Sequence, residues 1–156
     1  MVSNGEGAPV AATGFRHWQS LSDGFLLCLV IVGPTFLVEE LWRGRPVIDQ
    51  PGAWWLLPAG IMAFGFFAGG RVGGRNRRAR KGAFNQGLAI AGLTLVLIFV
   101  ADIVRRAVLS QGFPTRVLGL WAMSGLAALV VGGLGGVHGR RSTLKARKRR
   151  QLGRFH

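Results

Sequence analysis

The stretch from Gly65 to Gly87 constrains the fold most, because it contains the end of one apolar segment, a dense basic run and the start of the next apolar segment. Four such segments lie along the 156 residues and leave too little chain for a soluble core. The chain has 25 glycines and no tyrosine, a composition typical of closely packed transmembrane helices. The sequence therefore predicts an all-α integral membrane protein.

The apolar segments predict four transmembrane helices joined by short loops. The residues before the first helix are small and polar and lack apolar periodicity, so we expect a disordered cytoplasmic N-terminus at 1–20. The residues after the fourth helix, 138–156, are expected to form a basic cytoplasmic tail. The predicted helices cover about residues 21–42, 53–72, 83–104 and 117–137, and together they form one transmembrane domain at 21–137.

The distribution of Lys and Arg predicts the orientation of these helices. With four spans both termini share one side, and fifteen of the 20 basic residues fall on that side. The five basic residues on the other side are nearly balanced by four acidic residues, which are Glu39, Glu40, Asp49 and Asp102. Because cytoplasmic loops carry the excess of positive charge, both termini are expected in the cytoplasm, with the protein in the bacterial inner membrane.

An internal repeat emerges when the chain is displaced by 63 residues against itself. The loop residue Pro51 then falls on Pro114, and the acidic residue Glu39 falls on Asp102. Other matched pairs are Gly69 with Gly132, Gly70 with Gly133, Gly73 with Gly136, and Arg43 with Arg106. The four helices are therefore predicted to form two tandem parallel hairpin repeats, related by an axis along the membrane normal.

Small residues recur at every fourth position in three of the predicted helices. This spacing places them on one helix face, where they let two backbones approach closely. We expect packing within the monomer, and a homo-oligomer interface or a membrane-protein partner is the alternative. The predicted packing glycines are Gly65, Gly69 and Gly73 in the second helix, Gly87 in the third, and Gly132 and Gly136 in the fourth.

The run GGRVGGRNRRARKGAFNQGLAIAG, from Gly69 to Gly92, resembles a pattern found in small four-helix bacterial inner-membrane proteins of unknown function. The shared pattern is a glycine-rich helix end, a basic turn and a glycine-spaced next helix. The resemblance implies a four-span fold and implies no activity. The second half of the chain departs from the pattern, since Val137 and His138 replace Gly74 and Arg75.

Two acid–base pairs lie near the outer helix ends, Glu39 with Arg43 and Asp102 with Arg106. In each pair the base follows the acid by four residues, the favourable order on a helix surface. As exposed pairs at the membrane interface they would contribute about 1 kcal/mol or less. Alternatively, the two acids face each other between the repeats and form a proton or cation site. The sequence leaves both interpretations open.

Uncharged polar residues in the third and fourth helices are expected to hydrogen bond between helices. They are Asn85, Gln86, Thr94 and Ser124.

The sequence contains no pattern that indicates catalysis, a cofactor or a metal. Cys28 is the only cysteine, and the histidines are not spaced with other ligands. The glycine-rich runs lack the GK[ST] of a phosphate-binding loop, and no strand precedes them. We therefore expect a non-enzymatic accessory or scaffold subunit, and the alternative is a small transporter or channel with a carboxylate pair near its outer face.

The basic loop and tail are expected to contact anionic lipid at the inner leaflet. Nucleic acid is not expected as a partner of the chain, since the charge follows the membrane topology, although docking of RNA or of an acidic protein is an alternative for the tail. The predicted lipid contacts are Arg77, Arg78, Arg140, Arg141, Lys145, Arg147, Lys148, Arg149 and Arg150.

Overall fold

A computed structural model of the chain describes residues 10–38, 56–75, 79–110 and 115–152, with side chains at 18–38, 56–75, 79–110, 118–119 and 121–146. The helices are α1 (Val10–Phe36), α2 (Leu56–Gly74), α3 (Arg80–Val108) and α4 (Thr115–Leu152). Leu37 and Val38 continue α1 in a wider, π-type turn. The predicted all-α class is confirmed for the described part of the chain.

All four helices are long and apolar enough to cross a membrane. Only 28 to 39% of the apolar window in each helix is buried, so most of the apolar surface faces outward. Val30, Phe64, Val96 and Met123, one from each helix, are between 62 and 71% exposed. A soluble monomer rarely exposes apolar surface on this scale, whereas a bundle surrounded by lipid does. The arrangement is that of a multi-pass membrane protein.

Helix α1 begins earlier than the sequence analysis predicted. Its first residue is Val10, so residues 10–20 are helical and not disordered. Ala11 and Ala12 favour the helix, and no proline interrupts it before Pro34. The apolar pattern begins only near Leu21, and for this reason hydropathy placed the start of the helix there.

Helix α4 continues through the residues that were predicted to be a separate tail. It ends at Leu152, fifteen residues beyond the predicted end of the helix at Val137. The added segment contains Lys, Arg, Ala, Leu and Gln, which are all good helix formers, and it contains no proline. Polarity ends a membrane span but does not end a helix.

Successive helices run antiparallel, so α2 and α4 run parallel to each other. Helix α2 packs against α1, α3 and α4, and α3 packs against α1, α2 and α4. Helices α1 and α4 have little contact, although Phe36 meets Trp121 there. The largest fully buried side chains include Val32 and Ile90, which lie in one core with Cys28.

One contact inside the first hairpin has a counterpart in the second. Gly69 of α2 lies against the Gly24 carbonyl of α1, and a Cβ built on Gly69 would be 2.6 Å from that oxygen. Gly132 of α4 lies in the same way against the Gly87 carbonyl of α3, at 2.9 Å. Each residue of the second contact follows its counterpart by 63 positions. Between the hairpins the packing differs, because α2 contacts α3 extensively and α4 does not contact α1 to the same extent.

Candidate functional site

The two ends of the bundle differ in chemistry, and we call them the basic end and the aromatic end. The basic end is where α2 finishes and α3 begins, and it includes Arg71 and Arg80. The aromatic end is where α3 finishes and α4 begins, and it includes Phe36, Phe99 and Trp121.

Near the basic end, α2 and α4 meet through their main chains. Gly70 lies against the Gly132 carbonyl and Gly74 lies against the Gly136 carbonyl, and a Cβ on either α2 residue would overlap the facing backbone. Four residues separate the contacts on each helix, so they repeat along one shared line. The contact needs glycine on the α2 side, whereas a Cβ on Gly132 or Gly136 would meet α3 instead. Close approach of the two backbones gains van der Waals packing over the length of the contact.

The structure places all six predicted packing glycines at contacts between helices within the monomer. Gly65 lies against the Val32 side chain, and Gly73 lies against the Ile90 side chain. The other four lie against backbone atoms of a neighbouring helix: Gly69, Gly87, Gly132 and Gly136. The glycine faces are therefore used inside the chain and are not left open for a second copy.

Five further glycines that lie against backbone atoms of a neighbouring helix were missed by the sequence analysis. Gly70 and Gly74 form a second four-residue series beside Gly69 and Gly73, and this spacing was visible in the sequence. Gly135 and Gly139 form another series in α4, and they lie against the carbonyls of Phe67 and Arg71. Gly24 is the fifth, and only the contact with Gly69 reveals its role.

One polar contact joins α1 to α3 near the basic end. The Gln86 side-chain amide donates a hydrogen bond to the Ser20 hydroxyl at 2.8 Å, and the two residues are 3 and 4% exposed. Gly73 of α2 lies beside them, since a Cβ there would be 3.6 Å from the Gln86 Cγ. Gln86 therefore bonds between helices as expected, and its partner Ser20 was not anticipated.

The other three polar residues differ from one another in their contacts. Asn85 is exposed on the outside of α3. Thr94 is buried and donates to the Ile90 carbonyl of its own helix at 2.9 Å, while its side chain also contacts the Cys28 thiol of α1. Ser124 donates to the Trp121 carbonyl, again within one helix. A hydroxyl in a helix can bond to its own backbone, so polarity alone does not identify a bond between helices.

At the aromatic end, Asp102 and Arg106 form a buried ion pair. The Arg106 Nε donates to Asp102 Oδ2 at 2.8 Å, and their side chains are 9 and 0% exposed. Arg105 Nη1 lies 3.9 Å from Asp102 Oδ1, which accepts no hydrogen bond from the described residues. The interpretation as an exposed surface pair is therefore wrong for Asp102 and Arg106. Removing one member of a buried pair leaves a charge without compensation, which is far more costly than losing a surface pair.

The counterpart pair, Glu39 and Arg43, lies outside the residues that the structure describes. Beside Asp102, the Trp121 ring of α4 packs against two phenylalanines related by the 63-residue displacement. Its centroid is 6.4 Å from that of Phe36 and 5.5 Å from that of Phe99. These edge-on contacts join α4 to α1 and α3, and Phe99 lies one helical turn before the carboxylate.

The basic end carries the predicted lipid-contacting residues that the structure describes. Arg141 and Lys145 are exposed, and Arg140 is partly buried. Arg71 Nε is buried without a hydrogen-bond partner among the described atoms. Arg147, Lys148, Arg149 and Arg150 lie on the last turns of α4, whereas Arg77 and Arg78 fall outside the described residues.

None of the protein-family models, curated proteins or solved structures compared with the chain matches it. Within the described ranges there is also no group of three or more His, Cys, Asp or Glu residues arranged to hold a metal ion. The function proposed below is therefore derived from the geometry of the chain itself.

Proposed function

We propose that the protein is a non-enzymatic scaffold or accessory subunit of the bacterial inner membrane. The observation that carries this proposal is the main-chain contact between α2 and α4, where Gly70 and Gly74 lie against Gly132 and Gly136. Alternating access requires packed helices to rock against each other. Backbones interlocked through several glycines separate only when all these contacts are lost together, which suits a rigid platform.

Two tandem hairpins, inserted in the same direction, form this platform. The support comes from contacts that recur after 63 residues. Gly73 faces the Ser20 carbonyl, and Gly136 faces the Ala83 carbonyl in the equivalent place. The closer packing of α2 with α3 reduces the symmetry between the copies, so the proposed relationship is an approximate one.

Both termini lie in the cytoplasm in this proposal. The excess of Lys and Arg at the basic end supports this orientation. Arg140, Arg141 and Lys145 then lie near the inner leaflet, where each contact with anionic lipid contributes about 1 kcal/mol. The exposed apolar faces of α3 and α4 then contact lipid and a membrane-protein partner.

The scaffold role is tested by purifying the tagged chain from its native membrane in mild detergent and identifying co-purified proteins by mass spectrometry. We expect a stoichiometric partner that is lost when one outward stripe is changed, as in Val96→Trp with Val100→Trp, or Met123→Trp with Val130→Trp. Each double substitution changes only exposed residues and leaves the buried contacts intact, so each variant is the control for the other. Recovery of the chain alone from all three preparations would contradict the scaffold role.

A small transporter or channel is the second candidate, and Asp102 favours it. A fully buried carboxylate, one oxygen of which accepts no hydrogen bond within the part of the chain that the structure describes, can take up a proton or a cation. In this case proteoliposomes should show a proton or cation flux that disappears in Asp102→Asn. The scaffold proposal predicts a flux no greater than that of empty liposomes for both proteins.

A further inference from the structure

Helices α2 and α4 meet along two lines of contact near the basic end. The inner line, described above, uses glycines of α4 that also lie against α3. Along the second line, the Phe67 carbonyl lies against Gly135 and the Arg71 carbonyl lies against Gly139. The Phe67 ring is 5.6 Å from that of His138, and His138 is exposed, so this line is at the surface of the bundle. We call these five residues the outer seam.

Arg71 is a cation without a counter-ion in the outer seam. Its side chain is only partly exposed, and its buried Nε atom donates no hydrogen bond to a described residue. Within the described ranges the acidic residues are Asp23, which is exposed on α1, and Asp102 at the aromatic end, so neither lies between α2 and α4. A guanidinium that is partly withdrawn from water is costly when no anion accompanies it. An anion from outside the chain would compensate this charge.

Two more cations lie beyond Arg71 at the basic end. Arg75 follows it by four residues, so the two arginines share one face of α2. Lys145 follows His138 by about two helical turns and shares its face of α4. Arg75 and Lys145 are both exposed. Like charges four residues apart on a helix repel each other, so an anion beside Arg71 and Arg75 reduces the repulsion. We call Arg71, Arg75 and Lys145 the cation cluster.

Exposed apolar residues continue the same two helix faces in the opposite direction. Phe64 lies about two turns before Arg71 on α2 and is 63% exposed. Leu134 lies about one turn before His138 on α4 and is 55% exposed. Cations therefore lie at one end of this surface and apolar side chains at the other. A phospholipid has the same order along its length, with an anionic phosphate next to acyl chains, whereas a soluble polyanion has no apolar part to match.

We propose that the outer seam binds one anionic phospholipid, with its phosphate at the cation cluster and an acyl chain over Phe64 and Leu134. Basic sites between transmembrane helices are suited to lipid headgroups. Arg71 is expected to contribute most, because a planar guanidinium gives phosphate two hydrogen bonds. This site differs from the general attraction of basic residues to a leaflet, since it holds a single lipid at a defined place. It goes beyond the scaffold role and depends neither on that role nor on orientation.

Native mass spectrometry of the purified, delipidated full chain in a non-ionic detergent tests the proposal. The probes are phosphatidylglycerol and phosphatidylcholine with the same acyl chains. Arg71→Gln tests the phosphate contact, and its matched control is Arg80→Gln, which removes one charge from an exposed position of α3 at the same end. Phe64→Ser tests the acyl contact, and its matched control is Val96→Ser, because Val96 is 62% exposed on α3.

We expect one phosphatidylglycerol per wild-type chain and about tenfold weaker binding in Arg71→Gln, since a hydrogen bond to a charged group is lost. Arg80→Gln should change the affinity by less than about twofold. Phe64→Ser should bind about threefold more weakly than Val96→Ser. Arg75→Gln changes an exposed residue and should weaken binding by about threefold, so it provides the charge test if Arg71→Gln does not fold.

Several results would overturn the proposal. Equal losses in Arg71→Gln and Arg80→Gln would show that only total charge matters. Equal binding of phosphatidylcholine would remove the role of the anionic charge. Displacement of the lipid by equimolar free glycerophosphate would assign the cations to a soluble phosphate. Equal losses in Phe64→Ser and Val96→Ser, or no one-to-one complex with the wild type, would also contradict it. Because the chain is purified, none of these results depends on a scaffold partner.

Discussion

The basic end and the aromatic end of the bundle are joined in different ways. At the basic end, helices touch through main chain, as where Gly70 lies against the Gly132 carbonyl. At the aromatic end they are joined through large side chains, with the Trp121 ring between those of Phe36 and Phe99. Main-chain contact leaves no atom that can move aside, whereas side chains can repack. One end is therefore expected to tolerate almost no added volume, and the other to tolerate moderate change.

The difference also determines where a charged group can be buried. A carboxylate needs donors around it, and closely touching glycine backbones provide no space for them. At the aromatic end the Asp102 carboxylate is buried, with Arg106 bonded to it and Arg105 nearby. The aromatic end therefore buries an ion pair, for which the backbone contacts of the basic end would leave no space.

The largest expected effect comes from adding volume at the basic end. Gly136→Leu places a side chain into the Ala83 carbonyl, so we expect a loss of more than about 3 kcal/mol in unfolding free energy, or no folded protein. The control is Gly119→Leu, because a Cβ at Gly119 has nothing within 4 Å. Its change should stay within about 0.5 kcal/mol. Helix content in detergent, measured during titration with dodecyl sulfate, gives both values, and equal losses would contradict the comparison.

Breaking the buried ion pair at the aromatic end should have the next largest effect. Asp102→Leu removes the buried carboxylate to which Arg106 donates, and a loss of about 3 kcal/mol in unfolding free energy is expected in the same titration. The double variant Asp102→Leu with Arg106→Met removes both charges and should recover most of that loss. A double variant no more stable than Asp102→Leu alone would show that the pair itself is needed.

The smallest effect is expected for the hydrogen bond between α1 and α3. Gln86→Leu removes the donor to Ser20 and should cost about 1 kcal/mol, the usual size of such a bond in a membrane. Asn85→Leu is the control, since this neighbour is exposed on the same helix. It should leave stability unchanged in the same assay. A larger loss of stability for Asn85→Leu than for Gln86→Leu would show that the face of α3 that packs against α1 contains Asn85 and not Gln86.

Hydropathy and residue spacing predicted the coarse fold. Four apolar segments indicated four helices, and the four-residue spacing of small residues indicated which faces pack. The same signals failed at the helix ends. Val10 and Leu152 lie outside the apolar segments, where helix propensity and not hydropathy decides how far the helix continues.

The candidate site was less predictable because it depends on how each helix is rotated. Spacing identified the Asp102–Arg106 pair but could not show that the pair is buried. Neither could it select Ser20 as the partner of Gln86, since the two residues meet only through tertiary packing. The four-residue spacing of Gly70 and Gly74 was visible in the sequence, but the prediction included only the neighbouring series of Gly65, Gly69 and Gly73.

Cysteine labelling tests most directly whether the bundle spans the membrane with its basic end in the cytoplasm. In a Cys28→Ala background, Val108→Cys marks the aromatic end and Ala146→Cys marks the basic end, both at exposed positions. Spheroplasts are treated with a membrane-impermeant maleimide before and after lysis. Val108→Cys should be labelled in intact spheroplasts, and Ala146→Cys should be labelled only after lysis. Labelling of Ala146→Cys in intact spheroplasts would contradict this orientation.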